Sequence, residues 1–297
     1  MNMPRIEVPG GVLARRHNVS ARTPETVLDR WDSGVRSADA VGDNVVSIYD
    51  VIGEDFWTGG GFTLRRLDGA LRQIGRRDFE VHINSPGGDM FEGVAIYNKI
   101  RDHAEAHGLS VKVKVLGLAA SAASVIAMAG DEIEIGAAAS IMIHNCWTVA
   151  IGNRNDFAEM AQTMEQFDAN MAAVYEARTG NSADDVAAWM NAETWFSGQE
   201  AIDAGFATEL LPADRVKNDP NARALAQVVR AEKKAERALR MAGASAKDAK
   251  TTISDMKKAA RDDAAVPDSN ADVAPSDYAA LAASLTKLTS AMETHYD

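Results

Sequence analysis

Residues 80–104, EVHINSPGGDMFEGVAIYNKIRDHA, decide the fold. Residues 80–84 read as a strand, Pro86-Gly87-Gly88 as a tight turn, and residues 94–104 place apolar side chains at helical spacing. Downstream, residues 111–116 read as a strand, 119–128 as a buried helix, and 132–136 and 140–144 as two more strands. Upstream, Val45, Val46 and Ile48 form a strand-like run, and Leu64, Leu67, Leu71 and Ile74 mark one face of a helix over residues 62–74. Strands alternating with helices at this spacing predict an α/β domain with a largely parallel sheet.

The flanks differ in character. Residues 1–44 are polar and broken by Pro4, Pro9, Gly10, Gly11, Pro24 and Gly34, with a helical hint only around residues 24–31, and read as an N-terminal extension. The domain itself is expected over residues 45–212. Within it a long helix is predicted over 156–178, with Asn155 or Asp156 as cap. Phe157, Met160, Met164, Phe167, Met171 and Val174 lie on one face, a stripe for core or subunit packing. Residues 195–211 form a last unit in which Ser197, Glu200 and Gly205 act as cap, first turn and helix stop.

Residues 213–297 read as a charged helical or disordered tail. Positions 217–261 hold 12 basic and 5 acidic side chains, and 262–297 hold 1 basic and 7 acidic, so the tail is a dipole in sequence. Leu225, Val228, Val229 and Leu239 suggest one amphipathic helix, and Tyr278, Leu281, Leu285, Leu288 and Met292 a short heptad seam.

The net charge of −12 argues against a nucleic-acid partner, whose binding domain needs a basic face. The longest apolar run, residues 115–130, falls short of the roughly 18 residues of a membrane span. The N-terminus lacks the apolar core of a secretory signal, so a cytoplasmic protein without a membrane partner is expected. A single cysteine, Cys146, excludes an internal disulfide and makes a zinc site unexpected. No metal or cofactor is called for, and no G-x-x-x-x-G-K-[ST] loop occurs, so any ATPase must be a separate partner.

Chemistry concentrates in a few segments. Consecutive glycines in Ser85-Pro86-Gly87-Gly88-Asp89 let backbone N–H groups turn outward into an anion site, though an ordinary turn explains the glycines as well. In Gly117-Leu118-Ala119-Ala120-Ser121-Ala122-Ala123-Ser124 a serine stands where a strand enters a helix among small residues. Ser121 is there either a helix cap or a nucleophile close to oxyanion-stabilising N–H groups. Ser124 is the competing nucleophile, but inside a helix its hydroxyl tends to bond the preceding turn. Ile141-Met142-Ile143-His144 ends an apolar strand in an imidazole, as a general base on a rigid element requires. His17, His82, His103, His107 and His295 have no comparable setting.

Taken in order, INSPGGD, GLAASAASVIAMAG, IMIHN and ETWFSGQEAIDAGFATEL resemble the Clp protease family over residues 45–211. The resemblance implies a crotonase-like stack of ββα units and subunits joined into stacked rings, the long helix joining ring to ring. It assigns Ser121 as nucleophile, His144 as base, and the N–H groups of Gly88 and Ala122 as the oxyanion hole. The position matching the family's catalytic aspartate is Glu193, whose extra methylene asks the backbone to sit further back. The long flanks and the ETWF run resemble the Clp-related proteases encoded with phage or prophage head genes. That implies capsid or scaffold proteins as substrates. A housekeeping Clp peptidase working with a separate ATPase, a crotonase-type acyl-CoA enzyme and a catalytically silent ring protein are the alternatives.

Overall fold

A computed structural model describes residues 20–21, 24–38, 42–54, 60–149 and 152–219, together with residues 228, 231, 232, 235, 236, 239, 243–245, 247–249, 251–255 and 283. The chain clusters into two compact units, one of Met1–Asp55 with Gly61–Lys217 and the other of Phe56–Gly60 with Asn218–Asp297.

In the first unit the order is β1 (Ser20–Ala21), α1 (Glu25–Arg30), β2 (Val35–Ser37), β3 (Val45–Ile48), α2 (Leu64–Ile74), β4 (Phe79–Ser85), α3 (Met90–His107), β5 (Val111–Ala120) and α4 (Ala122–Ala127). There follow β6 (Glu132–Gly136), β7 (Ser140–Ile143), β8 (Thr148–Val149), α5 (Arg154–Thr179), α6 (Ala183–Asn191), β9 (Thr194–Ser197), α7 (Gly198–Asp203) and β10 (Glu209–Leu211). The chain is thus an α/β protein, and its main sheet has the order β10-β6-β5-β4-β3, all parallel. Strand β7 continues along β5 in parallel register where β6 leaves off, and β9 pairs antiparallel with β7.

Alternation along the strands separates two faces. Phe79, Val81 and Ile83 of β4 and Val111, Val113 and Val115 of β5 turn into the core, where α2, α3 and α4 deliver Leu67, Leu71, Ile96, Ile100, Val125 and Ile126. On the other face Lys114 Nζ meets Glu80 Oε2 at 2.8 Å and Lys112 Nζ meets Glu132 and Glu134 at 2.9 and 3.1 Å. His82 is buried in this ladder with Nε2 2.7 Å from Glu80 Oε2.

Several boundaries move from those the sequence suggested. Strand β5 runs four residues past Leu116, and helix α4 starts at Ala122 rather than at 119, because the second half of β5 gains a new partner in β7. The small residues that read as helix serve instead as tightly packed strand. Asp89 caps α3 through Glu92 N–H, and Gly108 ends it in the left-handed region, so this helix is longer than its apolar stripe. The cap of α5 is Asn153, with Asp156 completing a capping box. Met160, Phe167, Met171 and Val174 on α5 are buried while Phe157 is exposed. Helix α6, capped by Ser182, and strand β9 went unread.

Residues upstream of 45 do contribute packing. Val27, Leu28 and Trp31 are buried, Trp31 Nε1 donates to Asn84 O at 3.1 Å, and Asn84 Nδ2 donates to the carbonyls of Asp32 and Val35. In the second unit Val228, Ala231, Glu232, Ala235, Glu236 and Leu239 are helical, and Ser245 caps a further turn through Asp248 N–H. Leu225, Val229 and the seam from Tyr278 to Met292 lie outside the described residues. No helix among the described residues is long and apolar enough to cross a membrane.

Candidate active site

Strand β5 ends at Ala120, and the next residue turns sharply into α4. Ser121 holds φ 55° and ψ −126°, a region that L residues avoid and that costs about 1–3 kcal/mol. The strain aims the side chain away from the sheet. Its Oγ lies 2.8 Å from Nε2 of His144, the residue that follows β7. Parallel pairing of Leu118, Ala119 and Ala120 with Ser140, Ile141 and Met142 delivers both residues to the same end of the sheet. The Ser121 N–H donates to Met142 O at 3.0 Å and closes the junction.

His144 is 7% exposed, and burial pushes its pKa below the ordinary value while the nearby Glu193 carboxylate pushes the other way. The neutral imidazole, able to accept a proton, is therefore the favoured form near pH 7. Asp168 of α5 steadies the segment that follows, its Oδ1 accepting the Cys146 N–H at 2.6 Å. Burial raises the pKa of Asp168 and also that of the Cys146 thiol, which is held protonated.

Glu193 stands between α6 and β9 with φ 51°. Its carboxylate acts on His144 through space, and the hydrogen bond it makes is to Trp195 Nε1, at 3.4 Å to Oε1. Arg30 lies over the Trp195 ring, 4.4 Å from its centroid.

The glycine turn closes the site from the other side. A Cβ at Gly87 would come within 2.8 Å of Ser121 Cβ and 3.1 Å of Ala122 N, and one at Gly88 within 2.2 Å of Ile52 O. Both glycines have positive φ, so no side chain fits there by conformation or by space. Ser85 ties the turn down, its Oγ donating to Asp50 O and accepting from Gly87 N–H. The Gly88 N–H meets no acceptor among the described residues, and Ala122, first in its helix, has no intrahelical acceptor. The Gly87–Gly88 turn packs directly against Ser121 and the Ala122 N–H.

Ser124 is fully buried, its Oγ donating to Ser121 O at 2.6 Å and lying 2.8 Å from the Tyr175 hydroxyl. It is closed to substrate. His103 and His107 make contacts on α3, with Gly75 O and His103 O, while His17 and His295 lie outside the described residues. Among the described residues no group of His, Cys, Asp and Glu is placed to hold a metal ion. Tyr175 and Asp168 were missed as parts of this site. Tyr175 is buried and Asp168 partly buried on α5, where a helical pattern alone gives no sign of what an element touches.

A serine hydroxyl, an imidazole and backbone N–H groups gathered at one end of an α/β sheet are groups of the kind that acyl transfer uses. Comparison with known proteins narrows the class. A family profile described as Clp protease matches residues 70–214. The chain is 33% identical over 132 residues to the ATP-dependent Clp protease proteolytic subunit 2 of Nocardia farcinica, covering 44% of this chain and 63% of the relative. It is 31% identical over 144 residues to the ATP-dependent Clp protease proteolytic subunit of Pleurastrum terricola, covering 47% and 69%. With the corresponding subunit of Bacteroides fragilis the identity is 30% over 137 residues, covering 46% and 64%. The chain belongs to the Clp protease family. It spans a little under two thirds of the length of the first of these relatives, 63%.

Proposed function

We propose that the chain is a serine endopeptidase subunit, with Ser121 as nucleophile, His144 as general base and acid, and Glu193 orienting the imidazolium. The carrying observation is the 2.8 Å contact between Ser121 Oγ and His144 Nε2 at a strained strand-to-helix junction. In this reading His144 takes the Ser121 proton as Oγ attacks the scissile carbonyl carbon. The N–H groups of Gly88 and Ala122 receive the negative charge on the carbonyl oxygen. His144 then gives its proton to the leaving amine, and a water molecule repeats the sequence to release the acyl group.

A crotonase-type acyl-CoA enzyme would share the backbone donors but has no use for the serine–imidazole contact. A silent ring protein has no use for the strain at Ser121. The decisive test is labelling by a fluorophosphonate. Wild type labels at Ser121 and hydrolyses peptides; Ser121→Ala does neither, and an active Ser121→Ala protein overturns the reading.

The narrower reading is a cytoplasmic phage or prophage head maturation protease acting on capsid or scaffold proteins as a homo-oligomeric ring. It divides the chain into an extension (1–44), a peptidase domain (45–212) and a tail (213–297). Its support is the segregated charge of the tail and the ETWF run around Glu193. The relatives' names, ATP-dependent Clp protease proteolytic subunit, favour the alternative of a housekeeping peptidase with a separate ATPase. Portal and capsid genes beside this one would support the first, and a Clp ATPase gene the second.

A further inference from the structure

What holds Ser121 in its disfavoured conformation can be traced atom by atom. Its carbonyl accepts Ser124 N–H at 2.9 Å, Val125 N–H at 3.3 Å and Ser124 Oγ at 2.6 Å. A carbonyl oxygen only accepts, so the single hydroxyl proton of Ser124 is committed to it. The Tyr175 hydroxyl, 2.8 Å from Ser124 Oγ, must then be the donor of that contact. The order is Tyr175 O–H to Ser124 Oγ–H to Ser121 C=O. Ser124 is 0% and Tyr175 1% exposed, so water cannot replace either bond. Burial also raises the phenol's pKa, which keeps it a donor.

The peptide group is planar and trans, so the Ser121 C=O and the Ala122 N–H share one rigid plane and point in opposite directions. Fixing the oxygen fixes the N–H. We infer that Tyr175 is a positioning residue: through Ser124 it sets the plane of the Ser121–Ala122 peptide and so aims the Ala122 N–H at the developing oxyanion. The inference rests on the serine-peptidase reading and extends it to α5. The same helix holds the turn that follows α4, since Arg178 Nη1 donates to Gly130 O at 2.9 Å.

The test applies a fluorescent alkyl fluorophosphonate, a fluorogenic peptide amide and a peptide aldehyde to the full chain and to Tyr175→Phe, Ser124→Ala and the double variant. Tyr175→Phe keeps the ring and loses only the hydroxyl. Misaiming a donor should cost less than deleting one, so kcat and the phosphonylation rate should fall about tenfold. KM should hold, and the aldehyde, which forms a tetrahedral oxyanion, should weaken by the same factor as kcat/KM. Because both side chains act through one hydroxyl, the double variant should be no worse than Ser124→Ala. If Ser124→Ala fails to fold, Tyr175→Phe carries the test alone. Wild-type phosphonylation and aldehyde affinity in Tyr175→Phe would overturn the inference while leaving the peptidase reading intact. Absence of labelling in the wild type would overturn that reading, and this inference with it.

Discussion

Glu193 stands one residue beyond the last paired position of β9, and the antiparallel register that sets Thr194 against Ile143 carries it across from His144. Its carboxylate acts on the imidazole through space, while the hydrogen bond it accepts comes from Trp195 Nε1 at 3.4 Å. Glu193 itself departs from strand geometry, with φ 51°.

Glu193→Gln should therefore lower kcat by about two to four orders of magnitude with little change in KM, by favouring the wrong imidazole tautomer. Steady-state kinetics on a short peptide amide measure it. Turnover within a few-fold of wild type would leave Ser121 and His144 as a dyad.

The proposed mechanism requires neutral His144, whose pKa lies below its ordinary value through burial. The acid limb of the kcat/KM profile should accordingly have its midpoint below about 6.5. Glu193 raises that pKa, so Glu193→Gln should move the limb to still lower pH. Stability follows the same sign. The unfolded chain takes up the His144 proton before the folded one, so this contribution is present above about pH 6.5 and is lost as pH falls toward the folded pKa. A limb at or above 6.5 would contradict the burial.

Gly87→Ala should inactivate the protein. The added Cβ would lie 2.5 Å from Ala120 O and 2.8 Å from Ser121 Cβ, with φ 82° besides. Relieving that overlap displaces Ser121 or the turn that carries Gly88. We expect a lowered Tm and loss of fluorophosphonate labelling at temperatures where the protein is still folded. Normal labelling would mean that the turn does not close the site.

A chain ending at Pro212 should stay folded and cleave small peptides while losing recruitment to its assembly partner. Phe157 and Trp147, 50% and 46% exposed, together with the partly buried Met164 of α5, should lie between subunits. Light scattering is then expected to report a ring-sized particle. An active monodisperse monomer, or a truncated chain that unfolds, would refute the assembly or the domain boundary respectively.

Much of this was readable from residues alone, and the exceptions have physical causes. The alternation in residues 80–84, the glycine turn and the apolar run into His144 each carry a local signal that the fold keeps. The end of β5 was misplaced because Ala119 and Ala120 are small, and small residues pack equally well in a buried helix or a central strand. Only pairing with β7, a long-range event, decides between them. Strand β9 is four residues long and its role is to meet β7. The link from Tyr175 to Ser124 joins residues 51 apart in sequence, and no local pattern could announce it.

Because β5 is shared end to end by β6 and then β7, Ser121 and His144 are brought together by backbone register rather than by the reach of side chains. Such an arrangement separates what can vary from what cannot. Loops and outer faces are free to drift under selection for new substrates or new companions, whereas an insertion or deletion in β5, β7 or β9 would dismantle the chemistry at a stroke.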